Sequence, residues 1–409
     1  AINRVRLNDQ LSYILRTTDG GKIWTEVVNG LSNDPINAVK EDPNTRGLLF
    51  AGSERFVNVS FDDGANWQSL KLNMPHTSIR DLVIKDDDVV VGTHGRSFWI
   101  LDNITPLRHL ATTKVSRDEL YPPQKAMRIR WKMNPDTPLP QEEPGGENPP
   151  EGAMIDYFLG TDVNKVTLTI LDGKGDVIRT FSSNDQPYPL PELNIPLYWI
   201  RPFKSLSVKS GHHRFQWDMH HTPVDKPVSF PMSAIYRNTA PQPTSPWVLP
   251  GMYTVRLSVD GVSVAERSME VTMDPRVKTS TNELKEQYDL SLTCYRNHDA
   301  LQRLLIREEN FTSRLSTLPA NSRKNKAFVA LVNWKSGAEH PMDKLVQQNS
   351  RWERLHSLLQ DNDMPITAAV RKSVKELQAM QASVITPSME QLSRLLNAAE
   401  LQLNKSKKP

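Results

Sequence analysis

"TTDGGKIW" occupies residues 17–24 and "SFDDGANW" residues 60–67. Thr17 matches Ser60, Asp19 matches Asp62, Gly21 matches Gly64 and Trp24 matches Trp67, each pair 43 residues apart. Each octet has the chemistry of a tight turn between two strands. The Asp carboxylate can accept backbone N–H groups one or two residues on. The Gly supplies a positive φ that other residues resist. The hydroxyl residue ends the incoming strand, and the Trp opens the outgoing one and packs beneath the turn. Nothing in the octet points at a substrate.

The flanks read as strands. "INAVKEDP" (36–43), "GLLFAGSE" (47–54), "FVNVSFD" (56–62) and "WQSL" (67–70) are four short apolar runs within one period. "IRDLVIKDD" (79–87), "DVVVGTHG" (88–95) and "RSFWILDN" (96–103) repeat the first three without the octet. A period of about 40–45 residues with four strands is the length of one propeller blade. The octets resemble Asp-box (BNR) repeats, the marks of sialidase, other glycoside hydrolase and sortilin-type propellers, and "GTHGRSFWILDN" is similar to the last blade of bacterial sortilin-like proteins. Ile23 and Asn66 stand where that pattern has a second hydroxyl residue. The resemblance implies that residues 1–110 are the last two to three blades of an Asp-box β-propeller. The missing blades are then a partner, supplied by a longer protein or by another chain.

Further on, residues 111–150 are rich in Pro and Gly and read as an extended linker with a short strand at "AMRIRW". Residues 151–277 return to strands, with alternation at Val166, Leu168 and Ile170 and at Tyr253, Val255, Leu257 and Val259. Hairpin turns are expected at Asp172-Gly173, Gly175-Asp176 and Asp260-Gly261. The reading is a β-sandwich of about seven strands. It is similar to the Ig-like domain of flagellar hook-capping proteins, through "VTLTILDGKGDVIRTF", "HRFQWDM", "PGMYTVRLSV" and "VTMDPR". Residues 220–249 read as a long loop that could pack on the propeller. His212 and His213, adjacent on a strand, point to opposite faces, and with His220 and His221 they read as surface or loop histidines, not metal ligands.

From residue 278 to 409 the period becomes helical. Ser280 and Glu283 form a capping box, further helices are expected near 326–334, 342–360, 366–384 and 387–403, and Thr386-Pro387 reads as an N-cap followed by a first-turn proline. Short connections predict a helical bundle. "NKSKKP" (404–409) reads as a solvated basic tail.

Composition narrows the function classes. The 409 residues carry a net charge of +3 without a concentrated basic face, which gives no case for nucleic acid. No apolar run approaches the roughly 18 residues of a membrane-spanning helix. The single cysteine, Cys294, reads as core filler. Sequons at Asn58, Asn103 and Asn310 carry little weight. No signal peptide is present in the sequence, and export from a bacterium is expected from the resemblance.

The best candidate site lies in the turns between the second and third strands of two successive blades, Ser53-Glu54-Arg55 and His94-Gly95-Arg96. Glu54, Arg55, His94 and Arg96 would be neighbours there. The arginines could clamp a carboxylate bidentately, and His or Glu could move a proton. No pair of catalytic carboxyl groups is evident, no cofactor motif is found, and the catalytic residues are unassigned. The expected function is a non-catalytic, sortilin-like binding or scaffold protein holding a peptide, protein or glycan. The alternative is a sialidase-like glycoside hydrolase with most of its active site on other blades.

Overall fold

The computed structural model of the chain describes residues 1–115, 117–130, 146, 149–231, 236–319, 324–337 and 341–405. The chain is mainly β and then α. The tail residues 406–409 and residues 131–145 of the Pro- and Gly-rich stretch lie outside the described residues.

Three antiparallel sheets come first. β1 (Leu15–Arg16) pairs with β2 (Thr25–Glu26). Four strands follow in sequence order, β3 (Ile36–Glu41), β4 (Leu49–Ser53), β5 (Val57–Ser60) and β6 (Gln68–Ser69). The third sheet has β7 (Ile79–Lys85), β8 (Asp88–Thr93) and β9 (Phe98–Leu101). Ile14, Val27, Ile36, Ala51 and Trp67 form one core between the first and second sheets. Phe50, Val57, Val59, Ile79, Leu82, Val89 and Val91 form another between the second and third. The middle sheet is therefore covered on both faces, which is why every residue of β5 is buried.

The turns obey the octet chemistry with one correction. Asp19 Oδ1 accepts from the N–H groups of Lys22 (2.9 Å) and Ile23 (3.0 Å), three and four residues on. Asp62 Oδ1 accepts from the Asn66 N–H at 2.8 Å, and Asn66 Nδ2 adds a bond of 2.7 Å to Oδ2. The nearer N–H groups are satisfied otherwise: the hydroxyls of Thr17 and Ser60 accept from Gly21 and Gly64, both at 2.9 Å. Gly21 and Gly64 have φ of 91° and 87°. The two tryptophans differ. Trp67 is buried and donates to Val27 O at 2.9 Å, whereas Trp24 is 56% exposed and turns back to Gly21 O.

Helix α1 (Thr105–Thr112) leads into the next unit. Its partly buried Arg108 pairs with Asp42 and Asp87. Two sheets then enclose a single core: β10 (Glu119–Leu120), β12 (Ala153–Leu159) and β15 (Gly211–Trp217), ordered β10-β12-β15, and β11 (Ala126–Arg128), β13 (Val166–Leu171), β14 (Val177–Ser182), β16 (Gly251–Val259) and β17 (Val262–Met273), ordered β11-β17-β16-β13-β14. The alternating residues Val166, Leu168, Ile170, Val255 and Leu257 are fully buried in it. Eight strands build the pair: six lie within residues 151–277, and β10 and the expected short strand β11 come from the stretch read as linker. β11 pairs with β17 in parallel, a register invisible to hairpin reasoning. Arg214 ties this unit to the end of β9, bonding Asp156, Asp102 O (2.6 Å) and Asn103 O (2.8 Å).

The helices are α2 (Thr281–Ser316), α3 (Lys326–Lys335), α4 (Pro341–Gln360), α5 (Ala368–Met380) and α6 (Thr386–Lys405), packed around one core centred on Trp352. The Ser280–Glu283 capping box is present. Cys294 is buried, and burial pushes its thiol up to about 12, so it is inert filler. Thr386 is not an N-cap: its backbone is helical, and a π turn at Gln381–Ile385 joins α5 to α6 without a break. Pro387 lacks an N–H and crowds the carbonyl four residues earlier, and a widened turn relieves that conflict. No described helix is long and apolar enough to cross a membrane.

Candidate functional site

The β4–β5 and β8–β9 turns lie at the same end of their sheets and are built alike. The Ser53 hydroxyl donates to Phe56 O (3.0 Å) and accepts from the Arg55 and Phe56 N–H groups (3.2 Å each). The Thr93 hydroxyl donates to Ser97 O (2.6 Å) and accepts from the Arg96 N–H (3.1 Å). The turns are stitched together through Thr77 and Ser78, since the Thr77 N–H donates to Arg55 O (3.0 Å) and the His94 N–H to Ser78 O (2.8 Å).

This scaffold brings Glu54 and His94 into one electrostatic neighbourhood. Glu54 Oε1 accepts from Asn37 Nδ2 at 2.9 Å and from Arg80 Nη1 at 3.3 Å. Partial burial pushes the carboxyl up, but Ser78, Asn37, Arg80 and His94 around it more than offset that and hold it below the usual glutamate range. Arg55 faces the other way, 3.6 Å from the buried Asp34. Arg96 is exposed and makes no ion pair among the described residues. The end of the stack thus presents an ionised carboxylate, an imidazole and the exposed guanidiniums of Arg80 and Arg96, with Arg55 drawn toward Asp34.

Asn37, Arg80 and Asp34 were not singled out from the sequence. Asn37 and Arg80 sit 43 residues apart, at the second position of β3 and of β7. The period that revealed the turns contains them as well, but their polarity reads as ordinary strand alternation.

The histidines need a correction. His212 and His213 do occupy opposite faces of β15, and His212 Nδ1 contacts the Tyr121 hydroxyl at 2.7 Å. His220 is not a surface residue: it is 3% exposed. Among the described residues, the loop carrying it and His221 packs on the helices. His221 Nε2 meets the Tyr288 hydroxyl at 2.8 Å, Tyr295 donates to Thr222 O, and Lys226 pairs with Glu353. His298 on α2 and His356 on α4 join His220 in this buried junction. The Nε2 atoms of His220, His298 and His356 have no hydrogen-bond partner among the described residues. No group of metal-binding side chains is found among the described residues.

A second junction ties β11 to the helices. Asp363 is buried between Arg128 and Arg130, the latter at 2.7 Å, and both guanidiniums stack on Trp247 at 4.9 and 4.8 Å from the ring centre.

Compared with known proteins, the chain matches no family model and no curated protein sequence. Among solved structures it is similar to the extracellular domain of a hybrid two component system from B. thetaiotaomicron, with 9% identity over 64% of this chain and a TM-score of 0.17. The chain spans 28% of the length of that structure.

Proposed function

We propose that the protein is a non-catalytic binding and scaffold protein, that its first three sheets are successive sectors of an Asp-box β-propeller of the sortilin-like kind, and that its paired sheets are an Ig-like sandwich. The propeller reading is supported by the 43-residue offset shared by the octets, by β1–β2 and β5–β6, and by Ile36 and Ile79. The ligand is a peptide, protein or glycan that offers a carboxylate to the exposed arginines, with Arg96 as the primary anchor. The observation that carries the binding reading is Arg96, exposed and without an ion pair among the described residues. Against partial burial, Ser78, Asn37 and Arg80 hold the Glu54 carboxyl below the usual glutamate range, which does not suit it to the part of a proton-donating glycosidase acid. An ionised Glu54 beside His94 and Arg80 orients a ligand instead.

Export is part of the proposal and rests on the resemblance to exported bacterial proteins. Cell fractionation tests it.

The binding reading is tested by screening the intact chain against glycan and peptide arrays, with Arg96→Ala as the control. Binding that falls about tenfold or more in Arg96→Ala, at unchanged thermal stability, supports it. Equal binding by the variant overturns the site. Turnover of a fluorogenic sialoside replaces it with the hydrolase reading.

A further inference from the structure

Three buried imidazoles meet where the paired sheets join the helices. His220 comes from the loop after β15, His298 from α2 and His356 from α4, and they are 3%, 2% and 3% exposed. His220 Nδ1 lies 2.8 Å from Asp218 O. His298 Nδ1 lies 2.8 Å from Asn349 Oδ1, while Asn349 Nδ2 donates to Gln302 Oε1 at 2.7 Å. Both of these oxygens accept, so each Nδ1 carries the ring proton and each Nε2 is a bare lone pair. A second proton would place an N–H at Nε2, where neither ring has a partner among the described residues; His356 Nε2 is in the same position. A charged donor buried without an acceptor bears its full desolvation cost.

The nearby carboxylates are already taken by other cations. Asp218 pairs with Arg179 at 2.9 Å, Asp299 with Arg303 at 2.9 Å, and Glu353 with Lys226. Arg128 and Arg179 also face His220, and Lys226 faces both His298 and His356. Beside them, His221 faces Arg296 and, opposing it, Asp172. Charging one imidazole of the cluster sets it against these cations and against its neighbours.

A second contact between the same units has the opposite chemistry. Asp363, just beyond α4, sits between Arg128 and Arg130, and Gln360 Oε1 accepts from the Trp247 N–H at 2.9 Å. Against burial, the two guanidiniums hold the Asp363 carboxyl below the usual aspartate range, so this clamp survives mild acid. Glu353 stands about 10 Å back along α4 from Gln360. The sheets and the helices each close a core of their own, so the junction can part without opening either.

We propose that His220, His298 and His356 form a proton-released latch between the paired sheets and the helices. At neutral pH the latch is closed by Tyr295 on Thr222 O, by His221 against Tyr288 and by Lys226 on Glu353. Protons entering between about pH 6.5 and 5 part these contacts. The helices then swing about the Asp363 clamp with both cores intact.

Carbodiimide, which joins a carboxylate to an amine only where the two touch, tests the latch on the full chain. Lys226–Glu353 reads the junction, and Lys335–Glu308 within the helices is the internal reference. Both crosslinked peptides are quantified after reaction at pH 7.5 and at pH 5. The Lys226–Glu353 product should fall about fivefold or more against the reference, with helix ellipticity unchanged and the fall reversed on return to pH 7.5. In His356→Gln, which cannot take the charge, the fall should be smaller, about twofold at most. Small-angle X-ray scattering of the parent decides independently of the variant: its radius of gyration should rise over the same interval. A level crosslink ratio, an unchanged radius, or an equal fall in His356→Gln and the parent overturns the proposal. A fall that comes with loss of helix ellipticity overturns it too, because that is unfolding and not release.

Discussion

Acidification should loosen the junction between the sheets and the helices well before it protonates the carboxylates. Burial strips an imidazolium of its hydration, and it holds His220 and His221 down to about 4 and His356 down to about 3; His298 and His212 move the same way. Repulsion adds to burial at His356, where charge on His298, His220 or Lys226 opposes its own. For a histidine depressed in the folded state, stability is full above the unfolded value near 6.5 and is lost as pH falls toward the folded value. At pH 5 the unfolded chain holds nearly one proton on each of His220, His221 and His356, and the folded chain holds almost none. Each therefore costs about 2 kcal/mol relative to pH 8, and the three together about 6 kcal/mol. Carboxylates held low contribute nothing to this change, since they lose stability only below about pH 4. Urea unfolding followed by helix ellipticity at pH 8, 6.5, 5.5 and 5 should show a midpoint that falls steeply below 6.5. His356→Gln should give up less on acidification, by about one proton of slope. A midpoint that stays level from pH 8 to pH 5 would refute the reasoning.

Three further outcomes follow from single contacts. Asp363→Ala leaves Arg128 and Arg130 unpaired in a buried site and should destabilise the protein by about 3–5 kcal/mol, read as an earlier loss of helix ellipticity in urea. Gly52→Val drives a side chain into Ile79 and should cost roughly 1–3 kcal/mol; a melting temperature equal to the parent's would contradict the close approach. Asp62→Ala removes the acceptor of the Asn66 N–H and of the Ser60 hydroxyl and should cost about 1–3 kcal/mol, more than Asp19→Ala in the more exposed octet. Chemical denaturation of both variants checks the order.

The turns and strands were legible in the sequence because their chemistry is local. The Asp, Gly and hydroxyl of each octet lie within five residues, and Val166, Leu168 and Ile170 write their own alternation. The Ser280–Glu283 box was legible for the same reason. What escaped depends on distant partners. The short strand at Ala126–Arg128 was legible, but its parallel partner Val271–Met273, far along the chain, was not. His220 looked exposed because polar loop residues usually are, and only Trp247 and the helices bury it. At the candidate site Glu54 and His94 were placed together by the repeat, whereas Asp34 turned Arg55 toward its own buried carboxylate. Thr386 followed a strong local rule that the π turn overrides.

The parallel pairing of Ala126–Arg128 with Val271–Met273 bears on how the chain can be divided. A fragment cut at residue 151 would take β12 and β17 but abandon the strands that flank them, uncovering two raw edges at once. Such a piece would tend to clump, so anyone excising the paired sheets for study should begin the gene segment upstream of Asp118.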